Sequence, residues 1–178
     1  MSNEVKIYDN YLSDLEFQHI KTTLYDIHFP WYLSQVVNPK QENAKNITND
    51  YNFQMVHLFY RAFAPNSTYM DLLNPIVTKL NPRALLKIKA NLTFKTPKIV
   101  EHGYHTDFPD NEPCITGVYY LNSTNGYTKF LNGEIVEGIE NRLVLFDSRI
   151  LHTGTTCTNE DTRCVLNINF IPRIEKKN

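Results

Sequence analysis

His105-Thr106-Asp107, followed much later by His152 and Arg163, are residue types at a spacing with which a chain can hold a redox metal. Side chains at i and i+2 of a β-strand point to one face, so the His105 imidazole and the Asp107 carboxylate would stand side by side. The distant His152 completes two imidazoles and one carboxylate. That set holds non-haem Fe(II) on one triangular face and leaves three coordination positions open. Arg163 lies eleven residues beyond His152. Its planar, always-charged fork suits the far carboxylate of an anionic co-substrate. Each part also has a plainer reading. An H-x-D pair arises often by chance, and a histidine after the apolar run Leu143–Phe146 can simply be satisfied by a backbone carbonyl.

The elements that would position these residues are legible in the chain. Ser13-Asp14-Leu15-Glu16 is a capping box, and Phe17, Ile20, Leu24 and Ile27 follow with helical spacing up to Pro30. A second helix is expected from about Ser67, with Pro75 either kinking it or starting a new turn. Residues 34–50 are polar and read as a surface loop or lid. From residue 84 the period changes to two. Ala84, Leu86, Ile88, Ala90, Leu92 and Phe94 form one face, and Leu85, Lys87, Lys89, Asn91 and Thr93 face a cavity or solvent.

Further strands are expected at 115–121, 127–131, 134–136, 142–148 and 163–171, with turns at Asn125-Gly126 and Asn132-Gly133. In the last strand Arg163, Val165, Asn167 and Asn169 share one face, and Cys164, Leu166, Ile168 and Phe170 the other. That parity turns the guanidinium inward, where a buried cation needs an anionic partner. Asn91 and Asn167 are inward-facing polar candidates on the same grounds. His102 falls on the face opposite His105 and is expected at the solvent. Trp31, Tyr32 and Tyr51 flank the polar loop and read as packing residues. Helices first and short strands afterwards indicate α+β, mainly β: an antiparallel sheet sandwich or jelly roll with helices covering one face.

Bulk properties narrow the classes. The length of 178 residues suits one domain, helical over about 13–80 and β over about 84–171. A net charge of −1 gives no broad basic field, which argues against nucleic-acid and membrane-surface partners. Lys87, Lys89, Lys95 and Lys98 form a local basic cluster that a solvated face explains. Cys114, Cys157 and Cys164 are odd in number and lack C-x-x-C spacing, so reduced thiols in a cytoplasm are expected. The start of the chain lacks an apolar signal region, and no stretch is long enough to span a bilayer. Asn-x-Ser/Thr triplets at Asn46, Asn66, Asn91 and Asn122 read as accidents of an Asn-rich composition.

From Ile7-Tyr8-Asp9-Asn10-Tyr11-Leu12-Ser13 to Phe170 the sequence resembles the 2-oxoglutarate- and Fe(II)-dependent dioxygenases, particularly their small prolyl-hydroxylase-like members. The resemblance is most specific in Tyr104-His105-Thr106-Asp107, Thr116–Asn122, Asn141–Asp147, His152-Thr153-Gly154 and Arg163. It implies a double-stranded β-helix, a jelly-roll, cupin-like barrel. Iron would be bound by His105, Asp107 and His152. Arg163 would take the distal carboxylate of 2-oxoglutarate, and the Tyr119 phenol would support it. It further implies hydroxylation of a C–H bond in a prolyl or peptidyl substrate, with O2 consumed, succinate and CO2 released and ascorbate admitted as a reductant. A free amino acid or other small metabolite is the neighbouring alternative. One departure concerns the cavity rim: many relatives have Gly-Gly-x-Thr where this chain has Asn125-Gly126-Tyr127-Thr128. Two other classes stay open, a cupin-like metal enzyme without 2-oxoglutarate and a non-catalytic jelly-roll binding module.

Overall fold

The computed structural model describes residues 4–37, 45–46, 48, 50–108 and 113–173. Its elements in chain order are β1 (Lys6–Tyr8), α1 (Asp14–Leu24), β2 (Tyr32–Ser34), β3 (Gln54–Arg61), β4 (Ala64–Pro65), a 3-10 turn (Met70–Leu73), α2 (Asn74–Leu80), β5 (Ala84–Phe94), β6 (Ile115–Tyr120), β7 (Thr124–Phe130), β8 (Ile135–Gly138), β9 (Leu143–Asp147), β10 (His152–Gly154) and β11 (Thr162–Ile171). A major antiparallel sheet runs β1-β9-β6-β11-β5-β3-β2, with β4 on β3, and a minor sheet runs β10-β7-β8. The frame is the expected antiparallel jelly roll.

Three layers result. Phe17, Ile20 and Leu24 of α1 and Leu73 and Ile76 near α2 pack on Ile88, Ala90 and Leu92 of β5 and on Cys164, Leu166, Ile168 and Phe170 of β11. The other face of the major sheet meets the minor sheet through Val118, Tyr120, Val144, Phe146 and Val165 against Phe130 and Val136. Burying such side chains stabilises by roughly 1.5–3 kcal/mol each before entropy is counted. The helices therefore hold the major sheet from behind, and the gap between the sheets is left for the cavity.

Local chemistry fixes the ends of α1 and α2. Both halves of the Ser13–Glu16 capping box form, and α1 stops at Leu24 with Tyr25 as its cap. The expected continuation through Ile27 to Pro30 does not occur. The Asp26 carboxylate accepts from the His28 N–H at 2.8 Å, a local turn that outcompetes the helix, and Ile27 is left 91% exposed. Pro75 sits in the first turn of α2 and starts it, rather than kinking a longer helix.

Three expectations in the strands need correction. Strand β3 was not foreseen, because its two-residue turn to β4 is Ala62-Phe63, with φ of 52° and 64° and no glycine or asparagine to announce it. Asn125-Gly126 is not a turn but lies inside β7, at the register shift against β8 between Thr124 and Tyr127. A bulge pairs Phe170 with Leu85 and leaves Leu86 unpaired with β11, so Leu85 rather than Leu86 packs on the helical core. The 34–50 loop lies partly outside the described residues, and Ser34 within it belongs to β2. Trp31 packs on the core, whereas Tyr32 and Tyr51 are exposed. All three cysteines are free and buried. No helix among the described residues is long and apolar enough to cross a membrane.

Candidate metal and co-substrate site

His105 and His152 meet because their backbones form an isolated antiparallel bridge. The His105 N–H donates to the His152 carbonyl at 3.0 Å, and the reciprocal bond is also 3.0 Å. The H-x-D segment is thus not a full strand but a bridge followed by a bend at Asp107. One ligand atom from each of His105, Asp107 and His152 lies within 4.8 Å of the others. The rings of His105 and His152 are 4.7 Å apart, and His105 Nε2 is 3.8 Å from Asp107 Oδ1.

Neighbouring groups orient each member. His152 Nδ1 lies 3.0 Å from the Ile150 carbonyl oxygen, which favours a proton on Nδ1 and leaves Nε2 to face the cluster. Phe146 backs the ring at 4.8 Å between centroids. Asp107 Oδ2 accepts from Thr116 Oγ1 and from Asn169 Nδ2, both at 2.9 Å, so Oδ1 is the free oxygen. Burial opposes ionisation of Asp107, but the charges of His152, Lys87 and His105 and the Asn169 amide more than offset it, and the carboxyl is held well below the ordinary range. Burial, with His152 beside it, pushes the His105 imidazole down to about 4. A neutral His105 imidazole beside an ionised carboxylate is the form in which such groups bind a divalent ion.

The three residues line a cavity of about 440 Å³ between the sheets. Arg163 lies in its wall, 5% exposed, with its Nε lacking any hydrogen-bond partner. Its Nη2 reaches only the Tyr127 carbonyl and Thr128 Oγ1, both at 3.4 Å, and the guanidinium sits 5.5 Å over the Tyr120 ring. No ion-pair carboxylate stands beside it among the described residues. A sealed cation in that condition is built to receive an anion. Asn91 and Asn167 also line the cavity, and Asn91 Oδ1 is buried without a partner. So the donor set fits a divalent metal, and the orphaned guanidinium fits a carboxylate-bearing co-substrate.

Tyr119 is not brought to this cavity. It is fully buried on the helical side, donates to Asn141 Oδ1 at 2.7 Å and packs edge-on against Tyr11 and Phe17. Strand alternation explains the correction: Thr116, Val118 and Tyr120 face the minor sheet, and Tyr120 takes the place beside Arg163 while donating to Thr128 Oγ1 at 2.7 Å. His102 is the second correction. It is not at the solvent but fully buried in the cavity wall, with neither ring nitrogen hydrogen-bonded. Strand parity fails there because Gly103, at φ 115°, turns the backbone between His102 and His105. Lys87 and Lys89 are the third: they line the cavity, while Lys95 and Lys98 are exposed. Burial, with Lys87 adding its charge, lowers the Lys89 ammonium to about 8.

No family model and no curated protein matches the chain. Solved structures do. A prolyl hydroxylase from Trichoplax adhaerens, in complex with a hypoxia inducible factor oxygen degradation domain peptide fragment, aligns with a TM-score of 0.65 at 14% identity, over 95% of this chain and 84% of that one. A viral collagen prolyl hydroxylase from Paramecium Bursaria Chlorella virus-1, in its 2OG complex, gives 0.57 at 13%, over 95% and 96%. HygX from Streptomyces hygroscopicus, with nickel, 2-oxoglutarate and hygromycin B bound, gives 0.57 at 11%, over 96% and 83%. The chain has the jelly-roll fold of these 2-oxoglutarate-dependent oxygenases.

Proposed function

We propose that the protein is an Fe(II)- and 2-oxoglutarate-dependent oxygenase that hydroxylates a C–H bond. One observation carries the reading: a buried guanidinium without an anionic partner shares a single cavity with two imidazoles and a carboxylate. A prolyl or peptidyl group is the first substrate reading, because prolyl hydroxylases are among the structures of the same fold. A free amino acid or other small metabolite is the alternative, since HygX shows the fold with a small molecule bound.

When bound, iron and 2-oxoglutarate supply the oxidising power, with O2 consumed and succinate and CO2 released. The protein holds and orients. His105 and His152 offer Nε2, and Asp107 offers Oδ1 while Thr116 and Asn169 fix its other oxygen. Arg163 would take the distal carboxylate as a forked donor, with Thr128 and Tyr120 restraining the guanidinium. In the cupin-like alternative Arg163 would be dispensable, and in a pure binding module the imidazoles would be.

The test is spectroscopic. Adding Fe(II) and then 2-oxoglutarate under argon should produce a visible charge-transfer band in the wild type and none in Asp107→Ala. Arg163→Leu should weaken the 2-oxoglutarate titration at least tenfold, about 1.4 kcal/mol. A wild-type protein that shows no band sinks the proposal.

A further inference from the structure

We propose that the substrate carries an oxyanion, a carboxylate or a phosphate, and that Lys87 and Lys89 hold it at the metal end of the cavity. The inference rests on the oxygenase reading and narrows it. Lys87 and Lys89 stand at i and i+2 on β5, and both line the cavity. They therefore project from one face of one strand.

Register separates this pair from Arg163. On β11, Lys89 pairs with Asn167 and Lys87 with Asn169, whose amide holds Asp107. Arg163 instead pairs with Thr93, four and six residues further along β5. At about 3.3 Å per residue the backbone positions that carry the two cationic groups are roughly 13–20 Å apart along the strand. The lysines stand at the register of Asn167 and Asn169, beside Asp107, so a five-carbon diacid gripped by Arg163 and reaching toward the metal ligands leaves them unoccupied.

Charge makes the same point. With neutral imidazoles, Asp107 contributes one negative charge, a divalent ion two positive, Arg163 one positive and 2-oxoglutarate two negative, which sums to zero. Lys87 and Lys89 then leave two positive charges in the cavity wall. Neither makes an ion pair among the described residues. Asp107 interacts electrostatically with both lysines, but its one negative charge is already counted against the metal, and its Oδ2 is held by Thr116 and Asn169. Lys87 lies 5.6 Å over the Phe108 ring, a contact that leaves its charge uncancelled. Like charges two residues apart on one strand face repel, and a half-buried ammonium without a counter-ion is costly. A neutral substrate would leave both costs standing, whereas an oxyanion bridging the two Nζ atoms would remove them.

The experiment uses the full chain with Fe(II) and 2-oxoglutarate under argon. Binding is measured by calorimetry for N-acetyl-L-proline against its carboxamide, and for O-phospho-L-serine against L-serine. The expected result is at least a tenfold preference for the anion in one pair, and the pair with the larger ratio names the oxyanion. In Lys87→Met/Lys89→Met the preference should shrink to within about twofold, and Lys89→Arg should keep it. The proposal falls if neither pair shows an anion preference in the wild type, or if the preference survives in the double variant. It falls too if Lys89→Met weakens the 2-oxoglutarate titration as much as Arg163→Leu, which would assign the pair to the co-substrate. A wild type without the charge-transfer band would sink the oxygenase reading instead, and calorimetry would still report the anion preference separately.

Discussion

Arg163 and His102 together give the cavity its acid sensitivity. Burial first, and the Arg163 charge second, hold the His102 imidazole down to about 4. In the unfolded chain it titrates near 6.5. Between those values the unfolded state binds a proton that the folded state refuses, so stability is lost as pH falls from about 6.5 toward 4. The loss reaches about 3 kcal/mol for this one group. His105 acts with the same sign. The urea midpoint of chelator-treated protein should therefore fall steadily from pH 7 to 4.5, and His102→Leu should flatten that fall. Parallel slopes for the two proteins would refute the assignment. The meeting of His105, Asp107 and His152 in one cavity with Arg163 was legible because residue type, spacing and strand parity constrain it. His102 and Tyr120 were not: one depends on a left-handed Gly103, the other on which of two adjacent tyrosines faces the cavity.

Elements decide how closely these groups approach. Inside β7, Gly126 passes so near β11 that a Cβ there would lie 2.6 Å from the Thr156 carbonyl oxygen and 2.7 Å from Arg163 Cδ. Neither backbone nor a wedged guanidinium stem can yield without moving Arg163. Gly126→Ala should cost about 1–3 kcal/mol in denaturant unfolding and weaken the 2-oxoglutarate titration about tenfold. Gly133→Ala makes the control. It has open space but φ of +91°, so it should lose about 1–2 kcal/mol and leave the titration unmoved. Alternating apolar residues made β5 and β11 readable in advance, and the capping box did the same for α1. Strand β3 was hidden by a turn of Ala62 and Phe63, whose left-handed backbone no local residue advertises. The bulge that exchanged Leu85 for Leu86 is likewise a property of two strands together, invisible in either alone.

For the molecule as a whole, β11 is the shared member. Its one face contributes Cys164, Leu166, Ile168 and Phe170 to the helical core, and Val165 on the other joins the cluster between the sheets. Both clusters should unfold in one denaturant transition. A chain ending at residue 161 should show no cooperative transition, since it loses the strand between β5 and β6. A stable truncated form would show that the helical half stands without it. The position of β11 has a further consequence for how the protein is born. Strand β11 follows every other strand in the chain yet lies between β1-β9-β6 and β5-β3-β2. During synthesis two half-sheets must wait, each with an unpaired edge turned to solvent or to a chaperone. Only when residue 171 has cleared the ribosome can the halves be sewn together, and the same stitch delivers Arg163 to the site.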